Sequence, residues 1–373
     1  MKGLFTLLVA GTLVGCESKQ AFGPHPTMSL LSEAAVRGRI TDLGAILPQE
    51  DFSEARAINA NGEVAGVRRE GFGSGASHAV MWTIGTTSVA VQDLNTPPTT
   101  DESEAFGIDN RGDVVGFTIS NRSVQHAALW TAGPSSSEQD LGTLPGAGFS
   151  EAFGINDRGQ VIGISGAHAA LWTVDGTTVS VRDLGVLDGG NFSDAIAIDS
   201  RDQVVGLSNT ADGDFHATLW ALGPESTAVR DLGTLPGGTV SEALGITDNG
   251  LITGLSNIAG GSEYHAVLWR IGAPTGATLV QDLGVVPASS FHVVLGVNNR
   301  GQIVGVSGAA LGGFHATLWT VESGKASKQD LGTLPGGTFS NAFAINDRAQ
   351  AVGVSNTSNG SSHAVLWSIQ SSE

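Results

Sequence analysis

The sequence predicts an all-β fold, a β-propeller of seven four-stranded antiparallel blades. Three observations carry this: a glycine-rich, aromatic-poor composition, short alternating segments, and a repeat near 48 residues. Glycine accounts for 53 of the 373 residues and aromatics for 6%. Short apolar alternations broken by Gly, Asn and Asp read as strands and turns rather than helices. The formal charge is −18, with 36 acidic residues against 18 basic ones. That field repels phosphate backbones and anionic lipid surfaces, which argues against nucleic-acid binding.

The repeat is read from its anchors. His-Ala, a variable residue, Leu or Met, then Trp occurs at His78, His126, His168, His216, His265, His315 and His363, which defines seven units. Each closes on a tryptophan: Trp82, Trp130, Trp172, Trp220, Trp269, Trp319 and Trp367. An Asp-Leu pair recurs at Asp42, Asp93, Asp140, Asp183, Asp231, Asp282 and Asp330, and a glycine within an apolar run at Gly66, Gly116, Gly163, Gly206, Gly254, Gly305 and Gly353. Four strands in such a period match a propeller blade, whose repeats run about 40–50 residues.

The third unit shows the four pieces. Ser150 to Asn156 alternates, with Ser150, Ala152 and Gly154 on one face and Phe153 and Ile155 on the other. Asn156-Asp157-Arg158-Gly159 suits a tight hairpin, with Gly where positive φ is tolerated. Gln160 to Ser165, His168 to Trp172 and Thr177 to Leu184 supply the other three strands. Thr-Leu-Pro-Gly at Thr143, Thr234 and Thr333 turns the chain into the next unit. The array begins with a fourth-strand sequence, residues 37–44, and ends with a third-strand sequence from His363. Neither end is the polar cap that an open stack requires. A ring spanning 37–369 is therefore expected, closed by residues 37–44 pairing beside 363–369.

Ahead of the array, residues 1–15 carry one Lys and an apolar run too short to span a bilayer, the layout of a secretory signal peptide. Leu13-Val14-Gly15-Cys16 has the form of a bacterial lipobox, with the only cysteine of the chain as the lipidation site. Residues 16–36, Pro- and Ser-containing and without period, read as a tether. The expected address is the cell envelope, with the membrane reached only through the N-terminal lipid.

The His-Ala anchor, the Ile-Asn-Asp-Arg-Gly-Gln-Val hairpin and the Asp-Leu-Gly-Thr-Leu-Pro-Gly-Gly linker together resemble the HAF repeat family of extracellular bacterial proteins, from about Arg37 to Trp367. The family's third anchor residue is Phe, whereas Val80, Ala128, Ala170, Thr218, Val267, Thr317 and Val365 stand here. The resemblance implies an exported repeat protein and no catalytic residues.

Ser, His and Asp recur in almost every unit, which suits a structural network repeated around the fold better than a triad in one asymmetric pocket. No paired carboxylates stand out, and neither metal nor cofactor is implied. Candidate ligand-face residues are those where the units disagree. His292 stands where Ser occupies the six other units, Phe291 and Tyr264 could stack on a sugar or peptide, and Arg68 and Arg69 occupy the long second-to-third-strand loop. From sequence the favoured function is a non-enzymatic, monomeric, lipid-anchored module that binds a protein or glycan. The alternatives are a polysaccharide lyase or hydrolase, and a scaffold for envelope proteins.

Overall fold

Seven first strands set the architecture: Glu50–Ile58, Thr100–Ile108, Ser150–Ile155, Ser193–Ile198, Ser241–Ile246, His292–Val297 and Ser340–Ile345. The computed structural model describes residues 38–44, 50–70, 76–85, 88–94, 100–120, 124–133, 137–261, 263–271, 278–283, 292–308, 313–322 and 325–370. The signal peptide, Cys16 and the tether lie outside the described residues, as does Phe291. Every named element is a strand. Units two to six each form a separate four-stranded antiparallel sheet in simple meander order. An eight-stranded sheet holds the first and seventh units, joined by one parallel bridge between Phe52 and Ser362.

The turns follow the local chemistry. In the third unit Asn156 Oδ1 accepts from the backbone of Arg158 and Gln160, and Gly159 takes φ +76°. The corresponding positions in units four and seven are Asp202 and Ala349, which adopt φ 65° and 58° without being glycine.

Simple alternation fails in the first strand. Its register against the second strand shifts at one equivalent place in every unit, for example between Ala152 and Gly154 and between Ala195 and Ala197. The extra residue of each bulge is Arg56, Phe106, Phe153, Ile196, Leu244, Leu295 or Phe343. The glycine facing the bulge explains its recurrence: a Cβ on Gly163 would lie 2.0 Å from Glu151 O, and one on Gly206 2.0 Å from Asp194 O. Only glycine lets the bulged strand come this close.

All seven tryptophans are buried. They pack across neighbouring units: Trp172 shares a cluster with Val115, Leu129 and Leu141 of the unit before it. The first and last units share a core in the same way, with Leu43, Ala55 and Trp82 packed with Val352, Ala364 and Leu366. The segment Gly38–Asp42 pairs antiparallel with Ser362–Ile369, from Gly38 opposite Ile369 to Asp42 opposite Val365.

Candidate functional site

The repeated polar side chains are consumed by the framework. Histidine Nδ1 lies 2.9 Å from its aspartate in the His126–Asp140 pair, 2.6 Å in His168–Asp183 and 2.8 Å in His216–Asp231. His363 finds Asp42 at 3.0 Å, across 321 residues. Hydrogen bonding to Asp231 raises the His216 pKa, with burial opposing it. The first-strand serines staple neighbouring units. Ser193 Oγ accepts from Ala169 N at 2.9 Å and donates to Gly185 O at 2.9 Å, and Ser150 and Ser241 repeat the pattern. A serine so engaged is not poised as a nucleophile beside the histidine.

The seven first strands converge on one opening. At their C-terminal ends a cavity of about 280 Å³ is lined by an aliphatic layer, Ile58, Ile108, Ile155, Ile198, Ile246, Val297 and Ile345. Its rim is Ala60, Asn110, Asp157, Ser200, Asp248, Asn299 and Asp347. Rim side chains reach back to the preceding unit's backbone. Asn110 Oδ1 accepts from Ala60 N at 2.8 Å, Asp157 Oδ1 from Asn110 N at 2.9 Å, Asp248 Oδ1 from Ser200 N at 2.9 Å and Asp347 Oδ1 from Asn299 N at 2.8 Å. This ladder stops at Asp157 and Asp347, because Ser200 and Ala60 are too short to continue it. One layer inward, asparagine amides cross-link units: Asn156 Nδ2 donates to Asp199 O at 3.1 Å and Asn346 Nδ2 to Asn59 O at 3.0 Å.

The N-terminal ends of the same strands carry an arc of acids. Glu54, Glu104, Glu151, Asp194 and Glu242 follow the stapling residue in five consecutive units; Glu104 acts electrostatically on Glu54 and Glu151, and Glu151 and Glu242 act on Asp194. Sequence reasoning saw no such grouping, and the structure corrects that. The signal was present as Ser-Glu or Ser-Asp at one register position in five units.

At one end of the arc Arg56 Nε lies 2.8 Å from Glu54 and its Nη1 2.7 Å from Glu104, while the guanidinium sits 4.6 Å from the Phe106 ring centroid. Burial alone would raise the Glu104 pKa, but Arg56 and Arg69 outweigh it and hold the carboxyl below its usual range. Burial still prevails at Glu54, which is raised despite Arg56, and it dominates at the other end of the arc. It raises Glu151, takes Asp194 well above the usual range with help from Glu151 and Glu242, and pushes Glu242 up to about 8. Asp194 Oδ1 and both Glu242 carboxylate oxygens are buried without a hydrogen-bond partner. Among the described residues no group of three His, Cys, Asp or Glu side chains has metal-binding geometry.

Two of the residues expected at a ligand face lie beside this arc. Arg69 Nη2 is 3.0 Å from Glu104 and its guanidinium 5.0 Å from the Phe52 ring centroid. Tyr264 is partly buried, its hydroxyl pKa raised by burial and then by Glu242. Arg68 goes elsewhere, 2.9 Å from Asp93, and the His78–Asp93 contact there is a long 3.7 Å. His292 opens its strand opposite Ser307.

Neither protein-family models nor curated protein sequences match this chain. Solved structures do. A Mycobacterium tuberculosis puromycin-hydrolyzing peptidase is similar at TM-score 0.56 and 12% identity, covering 91% of this chain and 55% of that one. A puromycin hydrolase is similar at TM-score 0.53 and 15% identity, covering 87% and 52%. The β-propeller domain of the Trilobed protease from Pyrococcus furiosus, described as having an open velcro topology, gives TM-score 0.53 and 11% identity, covering 85% and 94%. This chain thus spans about half the length of the two puromycin-cleaving proteins. The likeness, with the all-strand architecture, shows a β-propeller fold. It also corrects the functional expectation: the similar propellers belong to peptidases, so the non-enzymatic binding module, with its glycan-enzyme and scaffold alternatives, is set aside.

Proposed function

We propose a peptidase-type function, in which this chain forms the propeller whose axis admits a peptide for hydrolysis. The observation that carries the reading is the axial cavity on which the C-terminal ends of the seven first strands converge, with its aliphatic layer and polar rim. The fold likeness to propellers of peptide-cleaving proteins supports it. The repeat serines and histidines are held by framework bonds, so the reading assigns no nucleophile among the described residues. Purified full-length protein is tested against a set of fluorogenic aminoacyl and short peptidyl substrates. Turnover of part of the set is expected, and turnover of none overturns the reading.

We read the fold more finely as seven HAF-type blades in a closed ring. The eight-stranded sheet is then two blades touching at one bridge, the last completed by Gly38–Asp42. Supporting this, Asn346 bonds to Asn59 as Asn156 bonds to Asp199, and Ala364 N donates to Ser53 Oγ as Ala169 N does to Ser193 Oγ. Deleting residues 37–44 is expected to lower the melting temperature by more than about 10 °C, since even 1 kcal/mol shifts a domain by a few degrees; an unchanged melt would exclude closure. Residues 1–15 and Cys16 are read as a leader and lipid anchor at the cell envelope, which the mass of the mature N-terminus tests.

A further inference from the structure

Arg56 shows how the acid arc accommodates a guanidinium. It occupies the bulge of the first unit's inner strand and bridges two acids from consecutive units, Glu54 at 2.8 Å and Glu104 at 2.7 Å. Three units further round the arc the same two acid positions are Asp194 and Glu242, at 4% and 2% exposure. The bulge residue that would carry the bridging cation is Ile196 there, and Leu244 follows in the next unit. No lysine or arginine among the described residues acts on either acid; the groups facing them are Glu151, each other, and Tyr264 beside Glu242. Asp194 Oδ1 and both Glu242 oxygens are left without a hydrogen-bond partner. Buried acceptors in such a state cost free energy that a hydrogen-bonded cation would recover.

We infer that the Asp194–Glu242 pair is a subsite for an arginine side chain of the peptide, whose guanidinium would bridge the two carboxylates as Arg56 bridges Glu54 and Glu104. The inference rests on the peptidase-type reading for the peptide's presence at the axis, and its chemistry is read from this chain alone. A planar guanidinium can donate to two carboxylates at once, which a lysine ammonium matches less well. The net charge of −18 favours the approach of a cationic peptide.

The test compares two fluorescently labelled tripeptides, one containing arginine and one containing the neutral isostere citrulline, by anisotropy with full-length protein. The arginine peptide is expected to bind at least about tenfold more tightly, the worth of about 1.4 kcal/mol. In D194N and E242Q, each near-isosteric and checked for retained melting behaviour, that preference is expected to collapse. Equal binding of the two peptides by the wild type, or a preference that survives both substitutions, overturns the subsite. Turnover of neutral peptides with no arginine preference would sink this inference and leave the peptidase reading standing. Arginine-selective binding lost in E242Q, with no peptide turned over, would do the reverse.

Discussion

The two halves of the acid arc share backbone, register and burial, yet differ in charge state. Glu104 and Glu242 both follow a stapling serine at the same place in a bulged inner strand. Glu104, faced by Arg56 and Arg69, is held below its usual pKa, whereas Glu242, with no cation, rises to about 8. The difference is set by the cations that face the carboxyl, Arg56 from the bulge and Arg69 from the second strand at Glu104, whereas Ile196 fills the bulge position that would bridge Asp194 and Glu242. A repeat can thus fix the position of a buried carboxyl while the balance of burial and neighbouring cations decides its ionisation.

The substitution with the largest expected effect erases the comparison by breaking what both halves share. Gly206→Ala would bring a Cβ to 2.0 Å from Asp194 O, and Gly116→Ala a Cβ to 1.9 Å from Glu104 O. Each is expected to cost about 4 kcal/mol or more in denaturant unfolding, at the exceptional end for a point substitution. A loss under about 1 kcal/mol would contradict the bulge geometry.

Arg56→Leu would bring the paired half closer to the unpaired one, leaving Arg69 as the cation at Glu104. Removing one partner of a buried ion pair typically costs about 3–5 kcal/mol. The same loss is expected here at pH 7 and a smaller one at pH 4, where Glu54 and Glu104 can take up protons.

Glu242→Gln sharpens the other half. Because the folded pKa of about 8 lies above the ordinary glutamate value of 4.5, the Glu242 contribution is fully present below about pH 4.5 and lost as pH rises through about 8. The wild type is expected to lose a few kcal/mol relative to E242Q between pH 5 and pH 9, measured by chemical unfolding. Parallel pH profiles would show that Glu242 does not titrate in this window. Smallest of all is His168→Ala, which removes a half-exposed pair with Asp183 at 2.6 Å. Pairs of this exposure are worth about 1 kcal/mol or less, and a larger loss would mean that the outer pairs rival the arc.

Much of the fold was legible because it repeats. The His and Trp anchors gave the period, the Asn-Asp-Arg-Gly turn gave the hairpin, and the mismatched ends suggested the pairing of Gly38–Asp42 with Ser362–Ile369. The bulge was hidden, since Ser150 to Ile155 alternates well enough to pass for an ordinary strand. Its consequence was hidden with it. Glutamate in an alternating strand normally signals a solvent face, and only the curvature around a common axis brings Glu151, Asp194 and Glu242 together. Arg68 and Arg69 looked like free loop cations, yet they lie in the strand Glu63–Glu70 and bind Asp93 and Glu104.

The His363–Asp42 contact across 321 residues also bears on how the chain is made. The strand Gly38–Asp42 is synthesised some 320 residues before its partner Ser362–Ile369. Until that segment is made Gly38–Asp42 lacks its partner, and an unpaired strand edge invites pairing with other chains. Joining such distant segments also pays loop-closure entropy late, which slows folding. Formation of this pairing therefore waits for Ser362–Ile369 to be made, and a polypeptide truncated before Ser362 leaves Gly38–Asp42 without its partner strand.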